Sequence, residues 1–280
     1  MNLAMIDDGM LPMADLDKAY LDRGLYFGDG VYEVLRSYDG KLFALEEHLA
    51  RFERSLKEIW IDGVNIADIR AKIEMAFKES GYANAKFYFH ITRGSEIRNH
   101  LPSKGLKPNF FMTVESLAED TKSKQFGVPV ATYPDLRWKR CDIKSLNLLP
   151  NIMARIAVAP KGAYEAILVN DANEITEGAG SAFFAIDGKE KAIITRPLGA
   201  EILPSITRSI VMQIAKNAGL ATVEKTLTPQ QAAACSELFL AVTTKDIVPI
   251  TQFDGQPVGN GQVGPLCKKL IAEFAAYARK

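Results

Sequence analysis

Cys141–Pro150 reads CDIKSLNLLP. The ammonium of Lys144 stands one residue before a mostly apolar run that is expected to pack into an interior. An ammonium is costly to desolvate, and complete burial lowers a lysine's pKa by as much as ~3–5 units. The ordinary explanation is a strand-end lysine whose stem snorkels to water. The chemical one is a nucleophilic amine, whose main covalent use is a Schiff base with a carbonyl. The rest of the chain decides between them.

The 280 residues are 48% hydrophobic and 24% charged, which suits one large or two ordinary domains with a substantial core. Lysine plus arginine and aspartate plus glutamate number 34 each, a balance that argues against a polyanion-binding protein. The first ten residues, MNLAMIDDGM, are acidic and lack the basic-then-apolar pattern of a secretory signal. No apolar run reaches the ~18 residues of a membrane span. Cys141, Cys235 and Cys267 are odd in number and widely spaced, so reduced thiols in a cytoplasmic protein are expected, with no disulfide framework or zinc site.

Residues 24–45, GLYFGDGVYEVLRSYDGKLFAL, read as two strands joined by Asp39-Gly40, a type I′ hairpin signal. Apolar spacing predicts helices over Glu46–Trp60, with Leu49, Phe52 and Leu56 on one face, and over Ala67–Gly81. Strands are expected at 85–92 and 110–114. Residues 115–126 are polar and aperiodic, the best linker candidate. Beyond them strands are expected at 128–133, 166–169, 182–186, 192–194, 237–242 and 247–250. Helices are expected near 152–159, 207–218, 229–235 and 265–276. The class is α+β, with a smaller domain at 1–115, a linker at 116–125 and a larger domain at 126–280.

Were Lys144 to hold pyridoxal phosphate, the chain would also need an anion cradle, an acid for the pyridine nitrogen and a carboxylate trap. Each has a candidate. Ile206-Thr207-Arg208 opens a helix, whose first N–H groups and dipole favour an anion, and Arg51 offers a planar fork for phosphate oxygens. Glu177 lies in NEITEGAGSAFFAI between a strand and a glycine-loosened loop. Arg98 and His100, in the stretch beginning at Arg93, could converge on one carboxylate. Singly each has a plain reading: Ser205 or Thr207 as a helix cap, Arg51 and His48 as surface helix residues, Glu177 and the loop charges as solvated side chains.

Taken in order, the segments DRGLYFGDGVYEVLR, EEHLARF, RCDIKSLNLLPN, EITEG, LPSITR and ELFLAVTTKDIVPI resemble the class IV aminotransferases, the fold-type IV pyridoxal-phosphate enzymes, over almost the full chain. The RG-x-x-x-R-x-H arrangement at Arg93–His100, with Tyr32, looks like the D-amino acid enzymes of that family. The resemblance implies a small N-terminal domain and a larger pseudo-barrel domain with pyridoxal 5′-phosphate in the cleft. It implies Lys144 as the Schiff-base lysine and proton carrier, and Glu177 as partner of the pyridine nitrogen. Arg51, Ile206, Thr207 and Thr243 match phosphate-binding positions, Leu203 an apolar position on the ring face, and Tyr32, Arg98 and His100 a substrate-carboxylate trap. In relatives the Arg–His loop crosses from a neighbouring subunit, so a homodimer is implied. The implied reaction is ping-pong transfer of an amino group between a D-amino acid and a 2-oxo acid, pyruvate or 2-oxoglutarate.

Two departures from the family pattern stand out. Gly178–Ala182 replaces a serine-rich run with an asparagine, and Pro204-Ser205 replaces a pair ending in glycine. Within the family a branched-chain L-amino acid aminotransferase or an aminodeoxychorismate lyase are the alternatives, and a non-catalytic relative is disfavoured by the full cofactor set. Outside it, Gly259–Gly264 is a literal GxGxxG, but a dinucleotide site needs a completed βαβ unit, and only residues 265–280 remain. That glycine run is read as a turn and a helix start.

Overall fold

The computed structural model describes residues 2–280. β1 (Leu3–Ile6) and β2 (Gly9–Pro12) form an antiparallel ribbon around Asp7, an element that Asp-Asp-Gly could have signalled. Helix α1 (Arg23–Phe27) follows, capped by Asp22 accepting from the Gly24 N–H and closed by left-handed Gly28. Gly24–Phe27 therefore do not open the first hairpin strand, because the cap and the glycine close a helical turn there. The strand begins at Gly30 as β3 (Gly30–Tyr38). Asp39 and Gly40 sit at φ +47° and +86°, the positive pair that a type I′ turn requires, and β4 (Lys41–Leu42) returns for only two residues.

α2 (Leu45–Glu58) and α3 (Ile66–Ser80) lie on a four-stranded sheet in the order β4-β3-β5-β6, with β5 (Ala85–Thr92) and β6 (Asn109–Ser116) completing it. The expected apolar face of α2 packs Leu49, Phe52 and Leu56 against Leu35, Phe87 and Phe89. Each such fully buried side chain contributes ~1.5–3 kcal/mol. Residues 115–126 are not structureless: α4 (Thr121–Phe126) is capped there by Asp120.

The chain then enters a nine-stranded sheet. Its strands are β7 (Val128–Pro134), β8 (Glu165–Val169), β9 (Ile175–Gly178), β10 (Ala182–Asp187), β11 (Ala192–Thr195), β12 (Ala221–Glu224), β13 (Glu237–Val242), β14 (Asp246–Phe253) and β15 (Gln256–Pro257). They run β12-β11-β10-β13-β14-β7-β8-β9, with β15 beside β14. α5 (Leu149–Val158) precedes β8, and α6 (Ile206–Asn217) and α8 (Pro265–Ala278) cover one face with Val211, Leu270 and Phe274 on Phe184 and Phe239. α7 (Pro229–Ala233) and Leu227 close the other face over Phe183, Leu240 and Val248. Covered on both sides, β10 and β13 carry unbroken apolar runs instead of alternation.

A buried polar knot ties the two sheets together. Asp246 of β14 accepts from the Tyr38 hydroxyl and from Arg36 of β3, and from Lys124 of α4 at 2.7 Å. Arg36 also donates to the Thr244 carbonyl at 3.2 Å. The turn after β13 is thereby fixed against the N-terminal sheet.

The GxGxxG run behaves as a turn and helix start. Gly259 and Gly261 hold φ +57° and +76°, and the N–H groups of Leu266 and Cys267 at the start of α8 donate to the Glu237 carboxylate at 3.0 and 2.7 Å. A Cβ on Gly264 would stand 2.1 Å from that carboxyl carbon, so protein fills the place a pyrophosphate would need.

Candidate active site

One cavity of about 320 Å³ opens between the two sheets. Alternation along β3 sends Val31, Glu33 and Leu35 toward α2 and leaves Tyr32 and Val34 on the cavity wall. Glu33 is thus a fully buried carboxylate in an apolar layer. It accepts Arg51 Nε and Nη2 at 2.7 Å each, and lies 2.8 Å from His48 Nδ1. Arg51 and His48 are therefore not surface residues of the helix; β3 supplies the charge that lets both be buried. Arg51 Nη1 donates to the Pro204 carbonyl at 3.0 Å, and its remaining N–H groups have no partner among the described residues.

α6 starts where Arg51 points. Ser205 caps it by accepting from the Arg208 N–H at 3.1 Å, leaving the Ile206 and Thr207 N–H groups without a backbone or side-chain acceptor. Pro204 does not distort this helix start, since Ser205 keeps ordinary extended backbone. Thr243, in the turn held by the Arg36–Thr244 contact, lines the same cavity, as does Leu203. Ile206 and Thr207 have buried side chains and follow Leu203 and Ser205, which line the space.

The run after Lys144 does not pack into the core. It skirts the cavity and leaves Leu149 66% exposed, because it is strapped along the edge of β3. Tyr32 N–H donates to the Lys144 carbonyl, and Leu146 N–H to the Gly30 carbonyl, both at 3.0 Å. A Cβ on Gly30 would come within 2.5 Å of the Ile91 carbonyl and 2.8 Å of Leu146, so only glycine permits this approach. The strap presents Lys144 half-buried in the cavity, its Nζ 4.1 Å from the centre of the Tyr32 ring and without a salt-bridge partner among the described residues.

Glu177, at the end of β9, is buried, not solvated. Arg137 and the Leu203 N–H both bond its Oε1, at 2.5 and 3.2 Å. Burial pushes this carboxyl above the usual range, and the Arg137 charge and hydrogen bond pull against it. The Gly178–Ala182 loop keeps its shape without a serine-rich run. Asn151 donates to the Ala179 carbonyl, and buried Glu165 accepts from the Gly180 N–H and the Ser181 hydroxyl.

Arg98 and His100 are not brought to this cavity. Both are exposed beside Phe27, with the Arg98 guanidinium 5.0 Å and the His100 ring 5.4 Å from its centroid. Buried Arg23 fixes their loop through Glu96 and the carbonyls of Asn99 and His100, while Arg93 is engaged by Asp29 and the end of α2. Sequence reading passed over Glu33, Arg137 and Arg23. For Glu33 the signal was available, a carboxylate on the apolar phase of a strand; for Arg137 and Arg23, whose bonds to Glu177 and to the Glu96–His100 loop join residues distant in sequence, there was none.

The family model for class IV aminotransferases ("Amino-transferase class IV") matches residues 30–253. The chain belongs to that family. Among curated relatives, the D-alanine aminotransferase of Bacillus licheniformis is 39% identical over 89% of this chain and 87% of its own. That of Staphylococcus haemolyticus is 36% identical over 99% and 98%. Among solved structures, the branched-chain aminotransferase of Escherichia coli superposes with a TM-score of 0.86 at 22% identity, covering 96% of this chain and 92% of that one. The Thermoproteus uzoniensis enzyme gives 0.83 at 25% identity, covering 97% and 93%. This aminotransferase accordingly has the two-domain α+β fold of type IV, and its described residues contain no helix able to cross a membrane and no cluster of metal-binding side chains.

Proposed function

We propose that this aminotransferase uses pyridoxal 5′-phosphate to move an amino group between a D-amino acid and a 2-oxo acid by a ping-pong route. The observation that carries the cofactor assignment is the donor set in and beside the cavity. Two uncapped helix N–H groups, a guanidinium with spare donors and a threonine suit a phosphate. A buried carboxylate with one free oxygen suits a ring nitrogen, and an unpaired lysine suits an aldehyde. When bound, the cofactor would act as an electron sink for charge developing on the substrate's α-carbon.

In this reading Lys144 links to the cofactor and moves a proton at the substrate's α-carbon, a task typically worth ~10²–10⁴ in rate. Arg51, Ile206, Thr207 and Thr243 hold the phosphate, Leu203 packs on the ring, and Glu177 faces its nitrogen. Tyr32 stands in the cavity beside Lys144. Arg98 and His100 act from a second copy of the chain, so a homodimer with the cavity between a domain of residues 1–115 and one of 126–280 is proposed, acting in the cytoplasm. Because Lys144 serves one face only, the anchor for the carboxylate selects the enantiomer. The D assignment is supported by D-alanine relatives at 36–39% identity over most of the chain, against branched-chain structures at 21–25%.

A half-reaction separates the possibilities. D-Alanine alone is expected to bleach the visible band of the purified enzyme and release pyruvate, while L-leucine leaves the band unchanged. Bleaching by L-leucine but not D-alanine would overturn the D assignment. Borohydride reduction is expected to leave a phosphopyridoxyl group on the peptide containing Lys144, and a tag elsewhere would remove that lysine from its role.

A further inference from the structure

The residue behind Glu177 is as constrained as Glu177 itself. The Arg137 side chain is 7% exposed. Its Nε and Nη2 clasp both oxygens of Asp135 at 2.9 and 2.7 Å, and Nη2 also reaches the Thr176 hydroxyl and the Glu201 carbonyl. The Thr176 hydroxyl donates to Asp135 at 2.6 Å and braces the clasp. The guanidinium cannot swing, and what remains of it, Nη1, meets Oε1 of Glu177. The Leu203 N–H takes the same oxygen, so both donors lie on Oε1 while Oε2 receives no hydrogen bond among the described residues.

We propose that Arg137, clamped by Asp135, is a positioning residue that keeps Glu177 an anion with Oε2 free for the cofactor's ring nitrogen. The inference rests on the assignment of Glu177 above. Its physical content is a contest between burial, joined by the Asp135 charge, which favours the neutral acid, and an adjacent fixed cation, which favours the carboxylate. Without the cation only the Leu203 N–H opposes the neutral acid. A protonated Glu177 must shed its proton before it can pair with a protonated ring nitrogen, and below its pKa each pH unit weakens that pairing about tenfold. Removing Arg137 therefore adds a pH dependence of cofactor binding to the one the Lys144 amine already gives the wild type.

The test follows cofactor dissociation from the full-length holoenzyme, by dialysis and absorbance, between about pH 6 and 9. Wild type and R137K, which retains the charge, are expected to share one profile. Relative to wild type, R137Q is expected to lose at least ~10-fold more affinity at the acid end than at the alkaline end. In an E177Q background, R137Q is expected to add no pH dependence. A loss in R137Q that is equal at every pH, or that persists in full on E177Q, would show a merely structural role and overturn the proposal, as would no loss at all. E177Q itself tests the underlying assignment: if it holds cofactor like the wild type, Glu177 does not serve the ring, and the role of Arg137 falls with it. Infrared titration of the wild type, with E177Q as reference, needs no arginine variant. A Glu177 carboxylate is expected near neutrality, and a protonated acid band there overturns the proposal even if R137Q does not fold.

Discussion

Replacing Glu33 by glutamine tests the charge that buries Arg51, the arginine proposed to hold the phosphate. Burial alone pushes the Glu33 carboxyl up, but the charge and hydrogen bonds of Arg51, with His48 behind them, bring it down from 4.5 to about 2. That drop of about 2.5 units corresponds to ~3 kcal/mol at ~1.36 kcal/mol per unit. Removing one member of a buried pair independently suggests ~3–5 kcal/mol, because the other charge is left in a dry site. The pKa is depressed in the folded state, so this stabilisation is complete above about 4.5 and is lost as pH falls through about 2. Urea unfolding at neutral pH is expected to place E33Q ~3 kcal/mol below the wild type, with Tm lower by ~6–12 °C. The gap is expected to close on acidification, as Glu33 in the wild type becomes a neutral acid much like glutamine. Cofactor retention is expected to weaken as well, since Arg51 keeps only the Pro204 carbonyl and one glutamine oxygen. A gap below ~1 kcal/mol at neutral pH, or one that survives unchanged to low pH, would refute the reasoning.

Burial holds the His48 imidazole below its ordinary pKa of 6.5; Glu33 opposes this, and Arg51 and Lys144 add to it. The unfolded chain therefore takes up the proton first, so stability is expected to fall as pH drops below about 6.5, and H48Q to flatten that slope in a Tm-against-pH series. G264A displaces Glu237 from the Leu266 and Cys267 N–H groups and is expected to cost ~1–3 kcal/mol in thermal unfolding while leaving cofactor affinity unchanged. G30A drives a methyl into the Ile91 carbonyl of β5 and the Leu146 side chain of the Lys144 strap, and is expected to lower both thermal stability and borohydride labelling of that lysine.

Most of this architecture is legible in residues 24–280 because its elements announce themselves locally. Leu49, Phe52 and Leu56 recur at helical spacing, Asp39-Gly40 fixes a hairpin, and 85–92 and 237–242 are strands end to end. The misreadings share a cause: tertiary contacts outvote local pattern. Leu146, Leu148 and Leu149 look like core, yet backbone bonds to Gly30 and Tyr32 hold that run along an edge. Arg51 and His48 look like surface, yet a carboxylate from another element draws them inside. β12 carries Ala221–Glu224 at a sheet edge with all four residues exposed, and an alternation of only four residues is too short to announce a strand. Of the proposed site, the lysine, the acid and the helix start are named through the family resemblance. Which atoms are already taken and which are free, Oε1 against Oε2 of Glu177 above all, exists only in three dimensions.

Under the proposed homodimer two features of the surface have one explanation. Leu149, Ile152, Met153 and Ile156, at helical spacing i, i+3, i+4, i+7, give α5 an apolar stripe that is 46–66% exposed, alongside cavity residues Asn151 and Arg155. The Arg98–His100 loop is held rigid by Arg23, faces away from its own cavity, and is flanked by Ile97 and Leu101 at 67% and 77% exposure. A second copy would cover the stripe and bring the loop's cations to Tyr32. In a symmetric pair, I152E/I156E removes four isoleucines from the contact, a loss on the order of 6 kcal/mol, about four decades in dimer Kd. Light scattering is expected to show half the wild-type mass, with KM for D-alanine and for pyruvate raised and cofactor retention kept, since the cofactor's donors all belong to one chain. R98A, which leaves the stripe intact, is expected to raise both KM values without changing the mass. A monomeric I152E/I156E with wild-type KM would show that the Arg–His loop does not act across the pair.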